Sequence, residues 1–184
     1  RQPQGPVYVV LGVAMQESNL DPVPAIPDVA RYDVEPDPMP APGSVVQAVE
    51  MMKSAESLLI FAGRVSRNQD DWDRRIAFAE ALGARVITNQ RTAAAFPTHH
   101  PLHPNHLNYR TTADDEALIC DADVILNLDW LDFGGTLQTA GDVQAKIISV
   151  SMDDLNSNGW SFDYHKLPPV DLPILATPDS FVAS

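Results

Sequence analysis

From Ser44 onward, short apolar runs alternate with segments of helical spacing, and that alternation leaves few folds open to the chain. Ser57 to Gly63 (SLLIFAG), Arg85 to Thr88, Asp123 to Leu128, Lys146 to Ser151 and Leu172 to Ala176 read as strands. Most are too short for a buried helix and too continuously apolar to leave one face in water, the pattern of a parallel sheet covered on both sides. Between them, Asp70 to Leu82 carries Trp72, Ile76, Ala79 and Leu82 on one face before Gly83 closes it, and Thr112 caps a helix running to Cys120. A further helix of about eleven residues is expected after Ser44, with Ser44 and Gln47 as the N-cap and N3 of a capping box worth on the order of 1 kcal/mol. Parallel strands require crossovers, and right-handed ones give an α/β, Rossmann-like sheet with helices on both faces.

Ahead of this unit, Val7 to Val13 is a continuous apolar run bounded by Gly5 and Pro6, which predicts a strand that needs a sheet. Pro22, Pro24, Pro27, Pro36, Pro38, Pro40 and Pro42 then make an extended tract that neither helix nor sheet absorbs. The expected division is a strand remnant over residues 1–19, a proline-rich linker over 20–43 and a folded domain over 44–184. The chain starts without Met in a strand-like run, and Thr177, Pro178 and Asp179 read as the cap and first turn of a helix that soon stops. Both ends read as cut.

Charge narrows the partners. Twenty-five acidic against twelve basic residues give a net charge of -13, which repels phosphate backbones and anionic lipid surfaces. Neither nucleic acid nor membrane is an expected partner, and no stretch approaches the roughly 20 apolar residues of a spanning helix. Cys120 is the only cysteine, so no internal disulfide forms, and a cytoplasmic location is expected.

In such sheets ligands bind where loops leave the carboxyl ends of the strands, here the loops starting at Gly63, Asn89, Asp129 and Ser151. Gly63 and Arg64 stand where a dinucleotide site places glycine-rich backbone, although the full G-x-G-x-x-G is absent. Asp129 and Asp132 leave the third strand of the regular unit as ribose acceptors or, preferably, helix N-caps. Asp153 and Asp154 follow the fourth strand, where an acidic residue often holds an adenosine ribose. The expected cofactor-facing set is therefore Gly63, Arg64, Asn89, Asp129 and Asp153. His99, His100, His103 and His106 crowd one stretch, but Pro97, Pro101 and Pro104 interrupt them and favour a polar irregular loop over a zinc site. Cys120 reads as a small buried hydrophobe, and Asp70-Asp71 as a helix-start pair matched to the macrodipole. No catalytic residue and no metal ligand is assigned.

Taken together the residues resemble the thiamine-diphosphate enzymes of the acetolactate synthase, pyruvate oxidase and benzoylformate decarboxylase type. Gly5 to Val9 is similar to the family's G-P-V strand that closes an N-terminal pyrimidine-binding domain, and Pro22 to Gly43 to the linker that follows. Ala81 to Thr88, Ala95-Phe96-Pro97 with His100-Pro101-Leu102, Ala122 to Leu126 and Ile147 to Asp153 resemble successive segments of the central domain, in order and at matching spacing.

The resemblance implies a DHS-like fold with a six-stranded parallel sheet, which in some members holds FAD or an ADP moiety and in others nothing. Where FAD-binding members carry Gly and then Arg after the third central strand, this chain has Asp129, Trp130 and Leu131, so charge and bulk stand in the flavin path. Asp153 keeps a nucleotide in view. The resemblance also implies that thiamine diphosphate and magnesium are held by N- and C-terminal domains of the same chain, in a homo-oligomeric parent acting on 2-keto acids by decarboxylation or carboligation. The magnesium-binding Gly-Asp-Gly is not matched, because Val143 follows Gly141-Asp142. The expected role is that of a central domain without catalysis of its own; the competing reading is a free-standing nucleotide-binding module.

Overall fold

The computed structural model describes residues 7–32, 38–104, 111–153 and 167–184. Gly5, Pro6, Pro36, His106 and Asp154, all named above, lie outside the described residues. The chain divides into two compact units, Arg1–Asp37 and Pro38–Ser184.

In the first unit the expected strand over Val7 to Val13 does not form. Val7 to Leu11 are exposed and without regular structure, and Val13 instead opens a short helix, α1 (Val13–Glu17). An apolar strand needs ladder partners on its edges and cover on its faces, and among the described residues no strand pairs with this one. A 3₁₀ turn follows at Val29–Tyr32.

The second unit opens with α2 (Pro42–Lys53), which buries Ala48 and Met52. The expected capping box at Ser44 is not there. Ala41 is the N-cap and Pro42 begins the helix, so Ser44 lies inside the first turn with its amide donating to the Ala41 carbonyl at 2.9 Å. Proline fixes φ near the helical value and lacks the amide that a first turn cannot satisfy, which moves the start ahead of Ser44.

β1 (Leu58–Ala62) is buried throughout. Its side chains alternate between two cores: Leu58, Ile60 and Ala62 on one face, Leu59 and Phe61 on the other. α3 (Gln69–Leu82) starts at Asn68, whose side chain accepts from the Asp70 amide, and ends at Gly83 with φ 60°. β2 (Arg85–Ile87) follows, and the next described helix is α4 (Ala113–Asp121), where Thr112 and Asp115 make a reciprocal capping box. β3 (Val124–Leu128) leads to α5 (Phe133–Ala140), a helix that the sequence reading did not place. β4 (Lys146–Ser151), β5 (Leu172–Leu175) and α6 (Pro178–Val182), capped by Thr177 as expected, complete the unit.

The strands form one sheet in the order β2-β1-β3-β4-β5, and every neighbouring pair is parallel. The α/β, Rossmann-like expectation holds, with five strands among the described residues against the six that the resemblance implies. One face packs on α2, α3 and α6 through Ala48, Met52, Ala79 and Phe181, the other on α4 and α5 through Ile119, Phe133 and Leu137. Phe61 meets Trp130 and Phe133 edge-on, with ring centroids 5.0 and 5.2 Å apart. At the β2 margin, the Val86 amide donates to the Leu102 carbonyl at 2.8 Å, so the returning loop covers that edge. No helix among the described residues is long and apolar enough to cross a membrane.

Candidate functional site

The chain passes outward from β1 to β2, then returns beyond β1 to β3, so the order reverses between β1 and β3. Their carboxyl ends therefore define the topological switch point, where open α/β sheets bind ligands. Here the two exit loops touch. Gly63 N donates to Leu128 O and Arg64 N to Asp129 O, both at 3.0 Å. A Cβ on Gly63 would fall 2.5 Å from Trp130 Cα and closer still to the Asp129 carbonyl, so this approach requires glycine. Asp129 bends the other loop with φ 56°, a left-handed turn that Asp tolerates better than most residues.

Side chains join a third loop to the first two. Arg64 Nη2 lies 2.8 Å from Asp129 Oδ1 and also pairs with Asp153 beyond β4. Ser151 Oγ donates to Asp129 Oδ1 at 2.6 Å and accepts from Asp153 N at 2.9 Å. Burial pushes the Asp129 carboxyl up from its ordinary value, with Arg64 and Ser151 pulling the other way. Burial alone would lower the Arg64 value, yet the two carboxylates together leave it raised, so the guanidinium stays charged.

Beside this cluster, on the α5 face, lies a cavity of about 90 Å³. Asn127, Ser149 and Ser151 form its polar side, while Trp130, Phe133 and Val170 supply apolar wall. Those polar groups are already satisfied: Asn127 donates to Ser149 Oγ at 3.0 Å and accepts from Trp130 N at 2.8 Å. Asp132, buried in its lining, caps α5 by accepting from Gly135 N, the cap reading preferred from sequence.

Four of the five expected residues, Gly63, Arg64, Asp129 and Asp153, thus meet at one place. Asn89 does not line the cavity, and its Oδ1 accepts from Arg91 N at 2.9 Å in its own loop. The described histidines do not converge on one centre: His100 pairs with Glu80 at 3.2 Å, while buried His103 shares a 2.8 Å hydrogen bond with Thr88 and stacks on Phe96. Among the described residues no group of three His, Cys, Asp or Glu side chains is placed to hold a metal. Cys120 is exposed, not buried as expected, and its Sγ donates to Ala140 O at the end of α5 at 3.3 Å. Sequence reasoning missed Asn127, Ser149 and, away from the cavity, the buried Arg75 of α3, which pairs with Asp179. A polar residue inside an otherwise apolar strand was the available signal for the first two; nothing in the sequence marked Arg75 for burial.

The parallel sheet and its switch point define a Rossmann-like α/β domain, and comparison with known proteins gives its family. Residues 45–183 match the family described as thiamine pyrophosphate enzyme, central domain, and the chain belongs to it. It is 35% identical over 118 residues to sulfoacetaldehyde acetyltransferase of Alcaligenes xylosoxydans xylosoxydans, which spans 61% of this chain and 20% of that protein. Benzoylformate decarboxylase from Polynucleobacter necessarius superposes over 100% of this chain and 33% of its own, with TM-score 0.65 and 25% identity. A thiamin diphosphate-dependent enzyme from Mycobacterium smegmatis shares the fold at TM-score 0.61 and 18% identity, over 82% of this chain and 28% of its own. The chain spans a third or less of each relative's length.

The residues present do not suit the groups that the family implies. A diphosphate with its metal needs converging carboxylate or amide oxygens, whereas Asp142 is exposed and accepts from its neighbour Gln144 at 2.6 Å. A dinucleotide needs free amides at the first loop, and those of Gly63 and Arg64 are taken.

Proposed function

We propose that this chain serves as the non-catalytic central domain of a 2-keto-acid decarboxylase or carboligase. Thiamine diphosphate and magnesium are held by N- and C-terminal domains of the same polypeptide, and the parent is a cytoplasmic homo-oligomer. In this reading residues 1–19 end the pyrimidine-binding domain, 20–43 link, and 44–184 form the bridging domain that sets the spacing of its two neighbours. The single observation behind it is the central-domain match over residues 45–183, on a chain that spans a third or less of its relatives. The switch point adds support, since Arg64, Asp129, Ser151 and Asp153 pair with one another. The two named relatives act on different compounds, and a 2-keto acid is the substrate class that this proposal chooses.

The test is turnover. The purified chain, supplied with thiamine diphosphate, magnesium and either pyruvate or benzoylformate, is expected to release no carbon dioxide above a protein-free control. Saturable turnover that heat denaturation abolishes would sink the non-catalytic assignment.

A further inference from the structure

A dinucleotide bound at a switch point ties together loops that otherwise only lie near one another. Amides of the first loop hold its pyrophosphate, a helix N-terminus adds partial positive charge, and an acid beyond a later strand takes the ribose. In this chain, among the described residues, several of those devices already have an internal partner. The Gly63 and Arg64 amides donate to Leu128 and Asp129 carbonyls, the Ser66 amide to Asp179 at 2.5 Å, and the Asn68 amide to Ser66 Oγ at 3.0 Å. The α3 N-terminus is capped by Asn68 and carries Asp70 and Asp71 in its first turn; that of α5 is capped by Asp132. Asp153, the ribose candidate, is paired with Arg64.

We infer that Arg64 is a built-in replacement for the nucleotide, bridging Asp129 and Asp153 so that the loops beyond β1, β3 and β4 are joined by the protein itself and FAD and ADP are excluded. Charge and size agree. One guanidinium faces the carboxylates of Asp129 and Asp153, and Asp132 also lines the cavity, so among the described residues an entering pyrophosphate meets net negative charge. The cavity of about 90 Å³ among the described residues is well short of the roughly 300 Å³ at which small-molecule pockets begin. Bulky Trp130, whose backbone presses on Gly63, narrows the same crevice. The inference rests on this geometry and not on the parent reaction proposed above, so nucleotide binding would overturn it while leaving that reaction untouched.

Two measurements decide it. Calorimetric titration of the chain with ADP, and fluorescence titration with FAD, are expected to give no saturable signal up to about 1 mM, a free energy near 4 kcal/mol. Saturation by either nucleotide below that concentration overturns the exclusion. For the bridge, Arg64→Met is expected to lower Tm by about 3 to 6 °C in the unaltered chain. In the Asp129→Asn, Asp153→Asn background the same change should produce less than half that shift, because no carboxylate remains to be joined. An unchanged Tm in the first case, or half the shift or more in the second, overturns the bridging role. If Arg64→Met does not fold, Arg64→Lys takes its place in the same cycle: a point charge without the fork is expected to recover only part of the bridge, and full native stability with Lys overturns it.

Discussion

Arg64 Nη2 stands 2.8 Å from Asp129 Oδ1 although 65 positions separate the two residues in sequence. Their meeting depends on β1 and β3 being neighbours, with Leu58 to Ala62 in register against Val124 to Leu128. Parallel register thus delivers both loops to the same height, and the close backbone approach at Gly63 completes the junction.

That approach makes Gly63 the most sensitive position of the crevice. Gly63→Ala places a methyl group against immobile backbone of Asp129 and Trp130, so the loops must separate or the strands must shift. The expected loss is about 2 kcal/mol or more, read as a lower urea midpoint at unchanged slope. Native stability in Gly63→Ala would show that the loops part freely.

Arg75 is 3% exposed, donates to the carbonyls of Ser66, Ala94 and Ala95, and pairs with Asp179. Arg75→Met leaves those carbonyls without their donor and takes the cation from a mostly buried carboxylate, which among the described residues keeps only the Ser66 amide. We expect a loss of about 3 to 5 kcal/mol in chemical unfolding, and only partial recovery with Lys, which cannot reach several acceptors at once.

His103 carries a pH signature. Burial pushes its imidazole below the usual value, while Asp115 raises it and His100 lowers it more weakly. A depressed folded value means that the unfolded chain takes up the proton first as pH falls. The resulting stability is present above the ordinary imidazole value, about pH 6.5, and is lost as pH drops toward the depressed one. Tm should therefore fall between about pH 7.5 and pH 5. The slope should be shallower in His103→Gln, and identical slopes in the two proteins would remove His103 as the cause.

Helix caps give a paired test. Thr112→Ala breaks a reciprocal box and should cost about 1 kcal/mol, whereas Ser44→Ala, inside a first turn begun by Pro42, should change stability by less than about 0.5 kcal/mol. Equal costs at the two positions would restore Ser44 as a cap.

Much of the sheet was readable because the strands announce themselves. LLIFA and VILNL are buried at every position, and KIISVS buries Ile147, Ile148 and Val150; burial on both faces favours such largely apolar runs. The caps at Thr112 and Thr177 were equally legible, since each places a hydroxyl just before a helix. α5 was not. Gly134 and Gly135 lower its intrinsic propensity, and it forms through packing of Phe133 and Leu137 and the Asp132 cap. At the site, strand ends identified Gly63, Arg64, Asp129 and Asp153, but their mutual pairing depends on distances between loops that no local pattern encodes. Asn89 shares their position after a strand and not their company, because β2 lies on the far side of β1 from β3. Val7 to Leu11 shows the opposite failure: a strand-like composition does not make a strand where no ladder is on offer.

The donation from Val86 to Leu102 bears on how copies of this domain meet. A foreign strand seeking to extend the sheet at β2 would find that amide engaged and would first have to peel the returning loop away. Lateral growth by main-chain pairing is thereby obstructed on this flank, and contacts made there must go through side chains, whose identity can be selected, instead of through a backbone that any sequence can match.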